Sequence, residues 1–342
     1  MSILIETLKG KKTKTPIWLM RQAGRHLPEY IKIRQKYKDL MEMFLDPEVI
    51  TEISLQPVKR YGLDACIVFS DILMIPYASG CDVGFKEGMG PQVKFNEKFK
   101  FESHKLDPVT KGIENIKTIS KIPLIGFVGG PWTTLSYCLF DKEERSQMNK
   151  DLIYKNEKRI DNYIDDLTDI ISNYAMQQVN AGIDAFQIFE SAAGDLDDYL
   201  FEKWVVNPTL KIVKEIKSKS DIPIIGFPRN ASTSGYRNYS FINQLDCICL
   251  DYNFNLQQLD LLNPNISYQG NLHPKLLLNG GDEMDKELEE ILLAFRDYPH
   301  IFNLGHGVLP ETPIKNVERL VQKVRNNSVS YTHLTLPTKR IV

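Results

Sequence analysis

The sequence predicts an α/β protein folded as a single (β/α)8 TIM barrel. Short apolar runs rich in Ile, Val and Phe recur eight times, each ending in Gly, Pro, Ser or a charged residue. Their apolarity is continuous rather than alternating, the pattern of strands buried on both faces of a parallel sheet. Amphipathic stretches separate several of them, and 342 residues is a length that such barrels use for one domain.

In order, the expected strands are residues 17–20, 65–69, 123–128, 185–189, 222–227, 247–250, 266–269 and 301–304. The expected helices include 51–61, 111–120, 155–180, 209–219 and 286–295. Residues 81–106 exceed a simple βα loop and are expected to hold a small hairpin. The connection around the sixth strand is short. After the last strand, Pro313 stands at a helix start behind Thr312, a candidate N-cap. Ile314, Val317, Val321 and Val324 then mark one helical face. Residues 1–328 are thus expected to form one domain, and residues 329–342 read as a non-native or disordered tail.

Composition narrows the function classes. Apolar residues make up 42% and charged residues 25%, a globular balance, and the net charge of −2 requires any anion binding to come from local clustering. The basic stretch 9–14 is short and lacks interleaved aromatics, so it reads as a solvated arm and no nucleic-acid partner is expected. No run approaches a membrane span and no signal pattern opens the chain, so no membrane partner and a cytoplasmic location are expected. The Asn-x-Ser/Thr matches at Asn230, Asn238, Asn265 and Asn326 then read as chance. Cys66, Cys81, Cys138, Cys247 and Cys249 show no Cys-x-x-Cys spacing and read as reduced core thiols. Cys247 and Cys249 share a strand face, yet two thiols make no metal site without further ligands.

In such a barrel the strand C-termini carry the chemistry. Those of this chain are polar: Arg21 and Arg25, Ser70 and Asp71, Tyr137 beyond Gly-Gly-Pro-Trp-Thr-Thr (129–134), Glu190 and Ser191, Pro228 and Arg229, Asp251, Gly270 and Asn271, and finally Gly305-His306-Gly307. Arginine is costly to bury but holds carboxylates and phosphates through a planar fork of donors. Two of them at the mouth of a buried strand suggest a polyanionic ligand.

Six segments resemble, in the same order and at similar spacing, the motifs of the uroporphyrinogen decarboxylase family. They are the arginine segment over 16–30, Phe-Ser-Asp-Ile-Leu (69–73), Gly-Phe-Val-Gly-Gly-Pro-Trp (126–132), Gln-Ile-Phe-Glu-Ser-Ala-Ala-Gly (187–194), Gln-Gly-Asn-Leu (269–272) and Asn-Leu-Gly-His-Gly-Val-Leu-Pro (303–310). The resemblance covers about residues 5 to 325. It implies a homodimeric barrel that needs neither metal nor organic cofactor and converts uroporphyrinogen III to coproporphyrinogen III by releasing four acetate carboxyls as CO2. It also implies that Arg21 and Arg25, catalytic residues together with Asp71, face substrate carboxylates, with Gln22, Ala23 and Gly24 lining the site between them. Asp71 is implied to lie under the macrocycle as the main catalytic group, and Tyr137, Ser191 and His306 to be further substrate contacts. Two positions depart from the family pattern: His273 stands where aspartate is common, and Ala192 where a bulkier residue is often found.

Plainer readings stand beside these. An aspartate after a strand is usually a turn or cap residue, Tyr137 fits a core aromatic, and Ser191 has no adjacent histidine that would make it a nucleophile. His306, between two glycines that admit close backbone approach, is expected to face the site. His26, His104, His273 and His300 read as loop or surface residues, His333 falls in the tail, and Trp132 is expected to pack its loop. A zinc-dependent corrinoid or thiol methyltransferase on a related barrel would need a His-x-Cys and a distant Cys, and no His-x-Cys occurs. A non-catalytic tetrapyrrole-binding barrel could keep the arginines without Asp71.

Overall fold

The computed structural model describes residues 2–86, 90–146 and 150–330. Its strands, in chain order, are β1 (Cys66–Ile67), β2 (Asp82–Lys86), β3 (Gly90–Lys94), β4 (Leu124–Gly129), β5 (Ala185–Glu190), β6 (Ile224–Pro228), β7 (Cys247–Cys249), β8 (Ser267–Leu272) and β9 (His300–Leu304). β2 and β3 pair antiparallel, as the long 81–106 segment suggested. The other seven pair in parallel in the order β1-β4-β5-β6-β7-β8-β9.

The strand expected at 17–20 shrinks to a single parallel bridge between Ile17 and Phe302. Pro16 has no N–H to extend the ladder, and a turn begins at Leu19, so few residues can pair. Those few close the sheet. Phe302 N–H donates to Pro16 O at 2.8 Å, Asp64 N–H donates to Ile17 O at 2.9 Å, and Ile17 N–H donates to Asp64 Oδ2 at 2.8 Å. Residues 16–18 thus join β9 to the approach of β1, completing a (β/α)8 barrel.

Continuous apolarity has a simple cause here. Ile67, Ile125, Ala185, Ile225, Cys247, Cys249 and Ile301 fill the barrel interior with Trp18 and Met20. Their strand neighbours Leu124, Phe186, Ile224, Ile248 and Phe302 pack outward under the helices. Both faces are therefore buried, and the five cysteines are all free and buried. The helix Ile3–Leu8 closes the bottom of the barrel with Leu4 and Leu8, each burial stabilising by about 1.5–3 kcal/mol.

Four of the five expected helices begin earlier than their periodicity suggested, Asn207–Lys217 and Gly281–Ala294 among them. Pro47–Tyr61 is capped by Asp46, whose carboxylate accepts from Glu48 N–H at 3.0 Å, and Asp107–Ile119 starts with a proline in its first turn. Proline in the first turn costs no hydrogen bond. The connection into β7 contains a short helix, Thr233–Ser240, and the one leaving it only the 3-10 turn Leu256–Leu261. Thr312 does not cap the final helix: its buried hydroxyl has no hydrogen-bond partner, while Pro313 O accepts from Asn316 N–H at 3.0 Å. That helix, Ile314–Ser330, runs two residues into the expected tail, and residues 331–342 lie outside the described residues.

Candidate active site

The site begins at a turn. Gln22 N–H donates to Leu19 O at 3.0 Å, and Arg21 takes up a left-handed backbone with φ 58°. Such a conformation costs about 1–3 kcal/mol for a non-glycine residue and persists only where the surroundings enforce it. Here they do. The Gln22 amide accepts from Leu19 N–H and donates to Ala65 O, both at 3.1 Å. Asn303 Oδ1 accepts from Met20 N–H at 2.9 Å, and Val308 N–H donates to Met20 O at 2.9 Å. Gln22 is therefore buried and holds the turn, Ala23 packs against the core, and Gly24 O accepts from Leu27 N–H at 2.9 Å. These three residues shape the loop that presents Arg21 and Arg25.

Arg21 is exposed to solvent, although protein surrounds it closely enough to desolvate its guanidinium. Its stem crosses Gly307, where a Cβ would sit 2.2 Å from Arg21 Cδ; at Gly305 a Cβ would meet Tyr252 N at 2.1 Å. The glycines flanking His306 are thus spatial requirements. Burial pulls the Arg21 pKa down, Asp71 and Tyr137 pull it up, and Arg229 and Arg25 add to the lowering. Arg25, on the same loop, is exposed.

Asp71 combines the plain and the sharp reading. Oδ1 accepts from Leu73 N–H at 2.9 Å, a turn-capping bond, whereas Oδ2 makes no hydrogen bond among the described residues. Burial raises its pKa above the ordinary carboxylate value, and the Leu73 N–H and Arg21 act against that rise. His306 Nδ1 accepts from Gly307 N–H at 2.6 Å, so the ring proton resides on Nε2. Burial, then Arg21 and Arg229, push its pKa down to about 3, which makes it a neutral donor. Tyr137, on the helix Pro131–Leu139, is half-buried with the Arg145 guanidinium 4.1 Å over its ring, and its hydroxyl has no partner among the described residues. Ser191, just beyond β5, accepts through its carbonyl from Arg229 Nη1 at 3.3 Å. Arg21, Asp71, Tyr137, Arg229 and His306 therefore converge, and Ser191 adjoins them.

Two groups at this rim were not picked out as site residues. Arg229 follows β6 as Arg21 follows its strand, so the same signal of an apolar run ending in arginine marks it. Glu190 ends β5 with no exposure and no cationic partner, accepting from Thr133 N–H at 2.9 Å, Thr133 Oγ1 at 2.7 Å and Trp132 N–H at 3.3 Å. Burial raises its pKa to about 7 against those donors. A carboxyl raised in the folded state stabilises fully below its unfolded value and loses that contribution as pH climbs through the folded one. The rise corresponds to about 3 kcal/mol. Glu190→Gln should therefore gain on the wild type by roughly 2–3 kcal/mol between pH 5 and pH 8, measured by urea unfolding. Parallel pH–stability curves would show that Glu190 stays charged throughout.

Of the histidines expected in loops or on the surface, two are buried, His300 in a strand and His26 in a turn. His300 opens β9 and is buried, with Nε2 within 2.7 Å of Gly270 O and its ring stacked on Phe295. His26 is buried beside Tyr61 with the rings nearly parallel. Desolvation lowers both pKa values to about 4. His273 is a cap residue, its Nδ1 accepting from Lys275 N–H at 3.0 Å, and His333 lies outside the described residues. Trp132 packs as expected, stacked on Trp204 and donating to Ala192 O at 3.1 Å. Among the described residues no three of His, Cys, Asp and Glu gather into a group that could hold a metal, and no helix is long and apolar enough to cross a membrane.

Comparison with known proteins places this geometry. The uroporphyrinogen decarboxylase (URO-D) family model matches residues 1–327. A uroporphyrinogen decarboxylase of Rickettsia rickettsii (strain Sheila Smith) is 39% identical over 338 residues, covering 95% of this chain and 97% of the relative. One from Wolbachia sp. subsp. Brugia malayi (strain TRS) is 40% identical over 336 residues, covering 95% and 96%. Among solved structures, a methyltransferase from Methanosarcina mazei superposes with a TM-score of 0.78 at 19% identity over 95% of this chain and 98% of that one, a likeness of fold alone. With the family motifs converging on one barrel mouth, the chain belongs to the uroporphyrinogen decarboxylase family of carboxy-lyases, enzymes of porphyrin biosynthesis.

Proposed function

We propose that residues 1–328 form one catalytic domain that decarboxylates uroporphyrinogen III to coproporphyrinogen III with the chain's own side chains. The carrying observation is an acidic side chain with a free oxygen, Asp71, in a mouth whose arginines lack carboxylate partners among the described residues. Arg21, Arg25 and Arg229 have none within 4.0 Å among the described residues. Arg60, Arg159, Arg296, Arg319 and Arg325 each pair with at least one carboxylate. Arg34, Arg145 and Arg237 also lack one among the described residues, so it is the gathering of three such arginines beyond strand ends that marks the mouth. Unpaired guanidiniums around a concave surface suit a polycarboxylate.

Loss of CO2 from a pyrrole acetate leaves an electron pair on the exocyclic carbon. Protonation of the adjacent ring carbon first gives an iminium-like ring that accepts this pair. Protonation of the exocyclic carbon and loss of the ring proton then leave a methyl group, and the cycle runs four times. Asp71 acts where the ring charge develops, the logic of electrostatic preorganisation. Arg21 and Arg25 hold carboxylates, and Tyr137, Ser191 and the neutral His306 supply hydrogen bonds. The loop of Gln22, Ala23 and Gly24 sets the arginines in place.

Since the substrate is its own electron sink, CO2 release from anaerobically prepared uroporphyrinogen should be unchanged by a strong chelator. Loss of activity on removing one tightly bound metal per chain would overturn this. We also propose a cytoplasmic homodimer, as the resemblance implies, with sedimentation of the purified protein as the check.

A further inference from the structure

We propose that Arg229 is a third carboxylate-binding arginine, holding a substrate side-chain carboxylate other than the one held by Arg21. The inference rests on the decarboxylase reading and extends it to the far side of the mouth.

A guanidinium kept for structure has its donors satisfied by fixed acceptors. Among the described residues that of Arg229 donates once, from Nη1 to Ser191 O at a long 3.3 Å, while Nε is buried with no acceptor. Its resting orientation is weakly held, and turning the Nε–Nη2 edge onto a carboxylate would satisfy a donor that now has nothing. No carboxylate lies within 4.0 Å among the described residues. The nearest acidic influence is Asp195, half-buried and under the field of both Arg229 and Arg145.

The backbone beneath this loosely held side chain is firmly fixed. Arg229 N–H donates to Glu190 O at 3.1 Å, and Gly194 N–H donates to Arg229 O at 3.1 Å. The next residue, Asn230, is left-handed at φ 57°, with its N–H bonded to the Asp251 carboxylate. Asp251 is buried and is anchored in turn by Tyr236 Oη at 2.6 Å. A rigid base under an unsatisfied charged tip is how binding residues are pre-organised.

Electrostatics indicates the ligand class. Arg229 stands close enough to Arg21 and His306 to lower the basicity of both. Two like charges across a concave mouth repel until an anion enters between them. A ligand with carboxylates around its rim, as on a tetrapyrrole, relieves both at once.

The test uses Arg229→Gln and Arg229→Lys in the full chain, with steady-state kinetics on anaerobic uroporphyrinogen and thermal unfolding alongside. Arg229→Gln is expected to raise KM at least about tenfold while kcat changes less than about threefold, and Arg229→Lys to fall between it and the wild type. A structural role would instead lower the melting temperature and the active fraction at unchanged KM. That result, or failure of both variants to fold, would overturn the inference. So would an unchanged KM in both variants of an active enzyme, whereas an inactive wild type would count against the decarboxylase reading itself.

Discussion

Asp71→Asn should still bind tetrapyrrole while its turnover falls by at least about 10²-fold, equivalent to about 3 kcal/mol of barrier. Asparagine keeps the size of the side chain, and its carbonyl can still accept from Leu73 N–H, so the turn after β1 survives. Only the negative charge, proposed to act beneath the ring, is removed. Asp71→Glu should suffer as well, because an extra methylene moves the carboxylate away from both the Leu73 N–H and its place under the ring. Coproporphyrinogen binding reports affinity, and single-turnover CO2 release reports chemistry. Near-normal turnover in Asp71→Asn would reduce the residue to an orienting group and remove the support for cation stabilisation.

The second large effect concerns Arg21. Arg21→Ala should raise KM by roughly 30- to 150-fold, the range set by about 2–3 kcal/mol for charge-assisted hydrogen bonds. Arg21→Lys should not restore it, since an ammonium has no bidentate fork. Gly307→Ala offers an independent route to the same defect. Its new Cβ would collide with the Arg21 stem and displace the guanidinium without deleting it. Wild-type kinetics in Arg21→Lys would show that simple charge suffices. Intact activity in Gly307→Ala would show that the stem has another path.

Much of this was legible in the sequence because a parallel barrel writes itself as continuous apolar runs with polar ends. Strands β4 to β9 fall close to where those runs lie, and Arg21, Asp71 and His306 meet as their positions beyond strand ends require, with Tyr137 joining them from the helix that follows β4. Residues 17–20 read as a strand because their side chains are buried, yet they form only one bridge, since burial pattern does not report ladder length. His300 departs from the loop or surface reading for a related reason, whereas His26 does lie in a turn, though a buried one. A neutral imidazole against an aromatic ring leaves no periodic trace, and only the register of its element buries it. Arg229 carried the signal that marks Arg21, but its distinguishing feature is an unsatisfied donor, which exists only in three dimensions.

The turn that carries Arg21 is tied on one side to Ala65 and on the other to Asn303 and Val308, the two flanks of the barrel's closing seam. That seam is thin, a few hydrogen bonds about Ile17 against the five-residue ladders of β4–β5, β5–β6 and β8–β9, although β1–β4 and β6–β7 also pair over only two residues each. Closure of the cylinder and assembly of the anion site are consequently one cooperative event. A chain with its seam ajar keeps most of its core yet has no geometry for recognising a carboxylate, so catalytic competence vanishes before global unfolding. Conversely, a polycarboxylate held as proposed would bridge residues on either side of the seam and act as a clasp, giving the liganded enzyme stability that the empty one lacks.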